Sequence, residues 1–287
     1  MKPRVVVIAG PTATGKSAVA LDLAARSNGT IINADASQLY ADLRVLTARP
    51  SPDAEAAVPH RLYGVLDGAD ACDAARWAVL ARATIADAVA AGRLPIVTGG
   101  SGLYLRALLV GLAEVPPIDA ATRAVVRALA PDIARAALAR EDPHASVRDP
   151  QRVARALEVV RATGRPLRAW QDTALPGLAA THDVHGLVVD RPRDELVARI
   201  DARLYAMLAA GAEAEVAALA ARGLDPAAPV LRALGVVPLL ALARGEITRA
   251  AAIAQIATAT RQYAKRQATW FRNQTPDWSR NFNHVLI

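Results

Sequence analysis

Residues Arg4–Ser17, RVVVIAGPTATGKS, decide the architecture of this chain. Arg4 to Ala9 is a short β-branched run, the composition of a strand buried on both faces of a parallel sheet. It leads directly into Gly10, Pro11, Thr12, Ala13, Thr14, Gly15, Lys16 and Ser17, which fit G-x-x-x-x-G-K-[ST], and Ala18 to Ala25 then reads as a helix. Strand, loop and helix stand in the order that a phosphate-binding loop needs. Glycines let backbone N–H groups turn inward around phosphate oxygens, and the helix N-terminus adds partial positive charge. Lys16 supplies a mobile ammonium, and Ser17 is a hydroxyl ligand suited to Mg²⁺. The motif specifies a phosphate, not a reaction. A nucleotide kinase, an NTPase and a transferase that expels diphosphate can all use it.

The rest of the chain narrows that choice. An NTPase would offer an acid at the end of a second apolar strand to hold Mg²⁺. The best second strand, Leu94 to Thr98, ends in Gly99-Gly-Ser-Gly102 without one. Asp35, after the strand Thr30 to Asn33, is the only well-placed carboxylate at a strand end. It is free to act as a base, but taken without any resemblance it reads first as the cap of a helix beginning near Ala36.

Composition sets the outer bounds. The chain has 287 residues, 53% hydrophobic and 21% charged, enough for one main domain with a substantial insertion and against disorder. No run of 18 strongly apolar residues is present, so no membrane span is expected. Cys72 is the single cysteine, which excludes an internal disulfide and a multi-cysteine zinc site and fits a cytoplasmic protein. The formal net charge of +7 suits a polyanionic partner such as nucleic acid, although basic soluble proteins are common. Only Lys2, Lys16 and Lys265 are lysines among 34 basic residues. Lys16 lies in the phosphate loop and Lys265 in a basic, aromatic stretch near the end of the chain, and lysine is not equivalent to arginine as a phosphate binder.

Seven segments together resemble the tRNA dimethylallyltransferase (tRNA isopentenyltransferase, IPP transferase) family. They are Gly10–Ser17, Ile32–Tyr40 (INADASQLY), Thr47–Pro50 (TARP), Val58–Leu62 (VPHRL), Pro95–Leu109 (PIVTGGSGLYLRALL), Asp149–Leu167 (DPQRVARALEVVRATGRPL) and Thr260–Asn273 (TRQYAKRQATWFRN). The resemblance implies transfer of a dimethylallyl group from dimethylallyl diphosphate to N6 of the adenosine 3′ to the anticodon (position 37) of tRNA. Mg²⁺ assists, and the nucleotide is flipped into a channel that the donor enters from the other end. Flipping is needed physically because a stacked base hides its exocyclic amine.

Carried onto these positions, the resemblance makes Asp35 the general base. An adenine amine is a weak nucleophile, and a carboxylate that orients it can also take its proton. Lys16, Thr14, Arg232, the amides of Gly10–Ser17 and Ser17 with Mg²⁺ are expected to stabilise the departing diphosphate. Contacts to tRNA are expected from Asp35, Ala36, Ser37, Gln38, Ser101, Arg123, Gln151, Arg152, Val153, Ala154, Arg155, Arg261, Lys265 and Arg266. Asp149 reads as an N-cap and Pro150 as the first helical residue, with Val153, Ala156, Leu157 and Val160 as an apolar stripe and Arg152 and Arg155 off it. The alternative for that pair is a solvated basic face, the commoner fate of such pairs. Tyr263 and Trp270, interleaved with cations, suit nucleic acid or the core.

Some positions depart from the family pattern. Ala36 stands for the usual Ser, Leu46 for Gly, Val236 for Tyr and Ser101 for Thr. The Ala120–Glu141 segment reads as shorter than usual, and no zinc finger follows the last basic helix. The expected fold is α/β: a P-loop NTPase-like parallel sheet flanked by helices, with an all-helical insertion domain. Its strands are expected near Arg4–Ala9, Thr30–Asn33, Leu94–Thr98 and Val184–Asp190, and Asp73 is expected to cap a helix through about Ala91. Residues 1–115 and 181–287 form the expected core and 116–180 the tRNA-contacting insertion, in a monomer. Three readings stay open beside this one: an adenylate-type prenyltransferase acting on free adenine nucleotides, a P-loop small-molecule kinase, and a tRNA-binding protein without catalysis.

Overall fold

The structure, a computed structural model, describes residues 2–113, 115–173 and 176–281. Six parallel strands make one sheet in the order β3-β2-β4-β1-β5-β6. They are β1 (Arg4–Ala9), β2 (Gly29–Asn33), β3 (His60–Arg61), β4 (Leu94–Gly99), β5 (Asp183–Val189) and β6 (Ser279–Asn281). The four expected strands are present within a residue or so. The two edge strands carry no sequence signal, because two or three residues are too short to show a period. β1 is central, with Ile8 opposite Thr98 of β4 and Leu187 of β5, and Val5 to Ala9 are enclosed. The neighbours of β1 lie on either side of the point where strand order reverses, and in such sheets the carboxyl ends of the strands frame the ligand crevice.

The helices are α1 (Lys16–Arg26), α2 (Pro52–Ala57), α3 (Ala74–Ala90), α4 (Gly102–Leu109), α5 (Ala120–Arg127), α6 (Pro131–Glu141), α7 (Pro150–Thr163), α8 (Leu167–Gln171), α9 (Arg193–Ala209), α10 (Ala212–Ala221), α11 (Val236–Ala243) and α12 (Arg249–Gln274). α1 lays Ala20, Leu23 and Ala24 on Val6, Ile8, Ile31 and Ile96 of the sheet. α3 starts where Asp73 accepts a hydrogen bond from Arg76 N at 2.8 Å, as expected of a cap. It buries Trp77, whose ring stacks on Tyr104 of α4 at 4.7 Å. α9 packs on α12, and α11 on both α10 and α12.

The chain divides into two compact units, residues 1–109 with 178–287, and Val110–Gly177. The second unit starts a few residues before the expected insertion of 116–180. Its core is Val126, Ala134, Ala137, Leu138, Val153, Ala156 and Leu157, from α5, α6 and α7. Asp149 caps α7 through Arg152 N at 3.0 Å, Pro150 is its first residue, and Gly164 closes it in the left-handed region. Glu158 is buried in this unit and is neutralised by Arg127 at 2.9 Å and Arg155 at 3.7 Å. No single helix among the described residues is long and apolar enough to cross a membrane.

Candidate functional site

Four strand ends converge in the first unit. β1 delivers the loop Gly10–Ser17, β2 delivers Asp35, β4 delivers Ser101 and β5 delivers Arg191. Gly10 is required where it stands: at φ +148, an added Cβ would lie 2.2 Å from Val189 O. Ala13, at φ +64, holds the left-handed conformation without being glycine, which costs roughly 1–2 kcal/mol. That cost is characteristic of an anion-binding loop whose amides must point one way.

The opposite side of the loop is gripped by arginines. Arg199 Nε donates to Ala13 O at 2.7 Å, Arg191 Nε to Thr14 O at 3.0 Å, and Arg203 to Thr12 Oγ1 at 3.3 Å. With these carbonyls occupied, the loop amides other than that of Thr12 stay available to a ligand. Lys16 Nζ donates to Pro11 O at 3.2 Å. Burial pushes the Lys16 ammonium down to about 8, against the pull of Asp35 and with a further push from Arg203. Burial likewise lowers Arg203, opposed by Asp35.

Asp35 sits at the first residue before a short 3₁₀ turn, Ala36–Leu39. Its Oδ1 accepts from Ser37 N at 3.1 Å and from Ser37 Oγ at 2.7 Å, leaving Oδ2 without a hydrogen bond among the described residues. It is therefore both a cap and a cavity carboxylate, so the two readings of this residue coexist. Ser37 supplies the hydroxyl that the Ala36 departure removes one residue earlier. Behind Asp35, buried Asn33 accepts from Asp35 N at 2.8 Å and donates to Leu62 O at 2.9 Å, while Trp77 Nε1 donates to Asn33 O at 3.0 Å. The carboxylate is thus fixed from the core outward.

Two cavities open in this unit. One, of about 390 Å³, is lined by Asp35, Ser37, Tyr104, Tyr263, Arg232 and Arg266 among others. The second, of about 720 Å³, is lined by Lys16, Ser17, Arg44, Arg49 and Arg199 among others. Ala13, Arg203 and Met207 line both. A phosphate-loop cavity and a carboxylate cavity therefore share a wall made of the loop itself and one face of α9.

α12 holds this arrangement together through a residue that no local motif singles out. Gln267, buried, accepts from Thr12 N at 2.9 Å and donates to Gly100 O at 2.8 Å. Gly100 permits the second bond, since a Cβ there would lie 2.2 Å from Gln267 Nε2.

Several expected roles are corrected. Thr14 is fully enclosed and its hydroxyl donates to Pro11 O at 2.9 Å, so it braces the loop and does not face a ligand. Arg232 is exposed on a 3₁₀ turn and donates to Ala227 O at 3.3 Å; it lines the carboxylate cavity and not the phosphate-loop cavity. Arg203 is the arginine that reaches both. Val153 is 1% exposed in the core of the insertion, which removes it from any nucleic-acid surface. Gln38 is half-buried and donates its amide N–H groups to Thr47 O at 2.8 Å and Ala48 O at 2.9 Å, which adds a loop-positioning role and does not contradict the expected tRNA contact.

The remaining residues are placed as follows. Ala36 lines the carboxylate cavity, and Ser101 Oγ accepts from Ala36 N at 3.0 Å. Arg266 stacks over Tyr263 at 5.8 Å and Lys265 is exposed, while Arg261 is paired with Asp201 at 2.6 Å. Trp270 is half-buried, and neighbouring Phe271 is the true core residue of that turn. Arg123, Gln151, Arg152 and Arg155 are exposed on the insertion, where Ala154 is partly buried against its core. Leu46 is accommodated in place of glycine because its backbone is not left-handed.

No cluster of three or more His, Cys, Asp or Glu side chains suited to a metal is present among the described residues. The exposed hydroxyl of Ser17 lines the phosphate-loop cavity beside Lys16. That single hard oxygen fits a Mg²⁺ ion that takes its other ligands from phosphate and water, the usual habit of that ion.

Comparison with known proteins agrees in kind. Residues 38–274 match the family described as IPP transferase. A protein of Erythrobacter litoralis named tRNA dimethylallyltransferase is 54% identical, over 97% of this chain and 91% of its own. The crystal structure of a tRNA isopentenylpyrophosphate transferase from Bacillus halodurans is 30% identical with a TM-score of 0.71, covering 98% of this chain and 90% of that one. A eukaryotic dimethylallyltransferase acting on tRNA aligns at a TM-score of 0.78 and 26% identity, over 94% of this chain and 70% of that one.

Proposed function

The chain belongs to the IPP transferase family, and on that premise we propose that it transfers a dimethylallyl group from dimethylallyl diphosphate to N6 of adenosine 37 of tRNA, releasing diphosphate. The observation that carries this reading is the shared wall: the cavity of Lys16 and Ser17 and the cavity of Asp35 meet at Ala13, Arg203 and Met207. A donor whose diphosphate lies on the loop then presents its first carbon toward the carboxylate side.

Asp35 accepts a hydrogen bond from the N6 amine through its uncommitted oxygen, orients the lone pair and takes the proton as the N–C bond forms. The C–O bond of the donor breaks as that bond forms, and the electron pair leaves with the diphosphate. Lys16, Arg203 and the loop amides stand where that charge develops, preorganised by Arg191, Arg199 and Gln267. Mg²⁺ held by Ser17 would neutralise diphosphate oxygens further. Tyr263, with Arg266 over its ring, supplies an aromatic wall for a flipped base. The exposed Arg152 and Arg155 of α7, with Lys265, serve the phosphates of the anticodon stem-loop. The reading is of a monomer working in the cytoplasm, where a tRNA acceptor is met.

Incubation of the protein with labelled dimethylallyl diphosphate and either tRNA or free AMP, ADP and ATP tests the proposal. Label is expected in tRNA. Label only in free nucleotide, or ATP turnover without an isoprenoid donor, would overturn it.

A further inference from the structure

We infer that Arg49 is a diphosphate ligand of this enzyme, presented to the phosphate-loop cavity by a separate chain segment, Arg44–Pro52, that Glu215 and Gln38 lock into place. The inference rests on the proposed donor site and adds a residue to it.

The first observation is charge. The phosphate-loop cavity is lined by five cations, Lys16, Arg44, Arg49, Arg199 and Arg203, and by no carboxylate among the described residues. Most of them have an occupation already. Arg44 pairs with Glu55 at 2.7 Å and donates to Pro50 O at 2.9 Å, while Arg199 and Lys16 donate to loop carbonyls. Arg49 makes no side-chain hydrogen bond or ion pair among the described residues, and its Nε is enclosed without a partner. Burial and the neighbouring Arg44 press its pKa down, against the pull of Glu55 and Glu215, which lie near enough to be felt but not to pair with it. A desolvated guanidinium without a partner is costly, and an anion in the same cavity removes the cost.

The second observation is how much structure is spent on holding Arg49 there. The Glu215 carboxylate accepts from three consecutive amides, Arg44 N at 2.5 Å, Val45 N at 2.9 Å and Leu46 N at 2.8 Å. Gln38 takes the carbonyls of Thr47 and Ala48, and Thr47 Oγ1 donates to Leu43 O at 2.5 Å. Ala48, immediately before Arg49, is held at φ +49, left-handed without being glycine. A strained residue clamped from two sides marks a segment whose conformation serves a purpose. The residue it aims is the cavity cation whose Nε has no hydrogen-bond partner.

The test uses the full-length protein, with inorganic diphosphate titrated by calorimetry and tRNA binding measured as a function of salt. Arg49→Met keeps the aliphatic packing and is expected to weaken diphosphate about tenfold or more, the scale of one charge-assisted hydrogen bond. Arg49→Lys recovers part of the affinity. Without ligand, the Tm of Arg49→Met should equal or exceed that of the parent, since an unpaired charge has been removed. Two results would overturn the inference: a lowered Tm that Arg49→Lys does not restore, or unchanged diphosphate affinity in Arg49→Met, in which case a tRNA salt slope reduced by about one would make Arg49 a tRNA contact instead. Lys16→Met is the control for the donor site. If the parent fails to bind diphosphate, or Lys16→Met binds it as well as the parent, the proposed function falls together with this inference; loss in Lys16→Met with none in Arg49→Met overturns the inference alone.

Discussion

Replacing Gln267 by Leu should damage both stability and transfer, by amounts that follow from two hydrogen bonds. Gln267 is 5% exposed and joins Thr12 N of the phosphate loop to Gly100 O at the end of β4. Leucine has a similar volume, so the cavity penalty is small. The loss comes from the polar groups left behind. Gly100 O stays buried without a donor, and Thr12 N is partly buried. Each orphaned group costs about 1–3 kcal/mol, and water can reach Thr12 more easily than Gly100, which gives a sum of roughly 2–4 kcal/mol. For a chain of this length that lowers Tm by roughly 4–8 °C. Release of Thr12 also frees Ala13 from its left-handed strain, so the loop amides lose their common direction. Single-turnover transfer should then fall more than tRNA affinity does. Differential scanning calorimetry and rapid-quench assays on Gln267→Leu and Gln267→Glu check this. Glutamate can still accept from Thr12 N but meets Gly100 O with a lone pair, so it should fall between the parent and the leucine variant. An unchanged Tm and an unchanged transfer rate for Gln267→Leu would refute the view that this tie holds the loop.

Other perturbations separate the remaining roles. Lys16 titrates near 8 in the folded protein but near 10.5 when unfolded, so the unfolded chain binds more protons between those values and stability rises with pH across that window. Lys16→Met should therefore raise Tm at pH 7, with a gain that shrinks from pH 8 to 10.5 in thermal melts, while diphosphate affinity of the parent falls above about pH 8 as the ammonium is lost. Arg203→Ala should reduce kcat/KM by about 10²–10³, the scale of one lost oxyanion donor, and should move the Lys16 titration upward by removing a neighbouring cation. Its steady-state kinetics across pH read both effects. Arg152→Ala with Arg155→Ala should weaken tRNA binding and lower its salt slope by about one to two units without unfolding the insertion, because Glu158 keeps Arg127. A filter-binding series in salt measures it, and an unchanged slope would make the pair a solvated face.

The parts of this fold that are legible in the sequence are those written locally. Arg4–Ser17 carries a buried strand, a glycine turn and a helix start in consecutive residues, and Asp73, Asp149 and Pro150 are caps visible from residue type alone. Asp35 is legible only as a choice between cap and base; the structure shows the cap through Oδ1 and leaves Oδ2 without a hydrogen bond among the described residues, where the proposed base would act. The arginines that matter are not separable by residue type. Arg191, Arg199 and Arg203 look like any others in an arginine-rich chain until α9 is folded against the loop, although Arg199 and Arg203 do stand one turn apart on the same face. Arg232 is favoured by the family resemblance alone, but a 3₁₀ turn directs it to Ala227. Val153 lies inside a matching segment and is buried because the stripe that contains it is the core of its own unit. Gln267 and Glu215 act over separations of well over a hundred residues, which no window of sequence reports.

At the centre of the proposed chemistry, one carboxylate receives the proton of an adenine amine while the loop releases a diphosphate. Mass spectrometry of tRNA nucleosides after incubation with dimethylallyl diphosphate tests this most directly, with Asp35→Ala run beside the parent. The parent should yield N6-dimethylallyladenosine from the position 3′ to the anticodon, and Asp35→Ala should yield almost none while binding tRNA within a few-fold of the parent. Unmodified tRNA from the parent, or full modification by Asp35→Ala, would contradict the account.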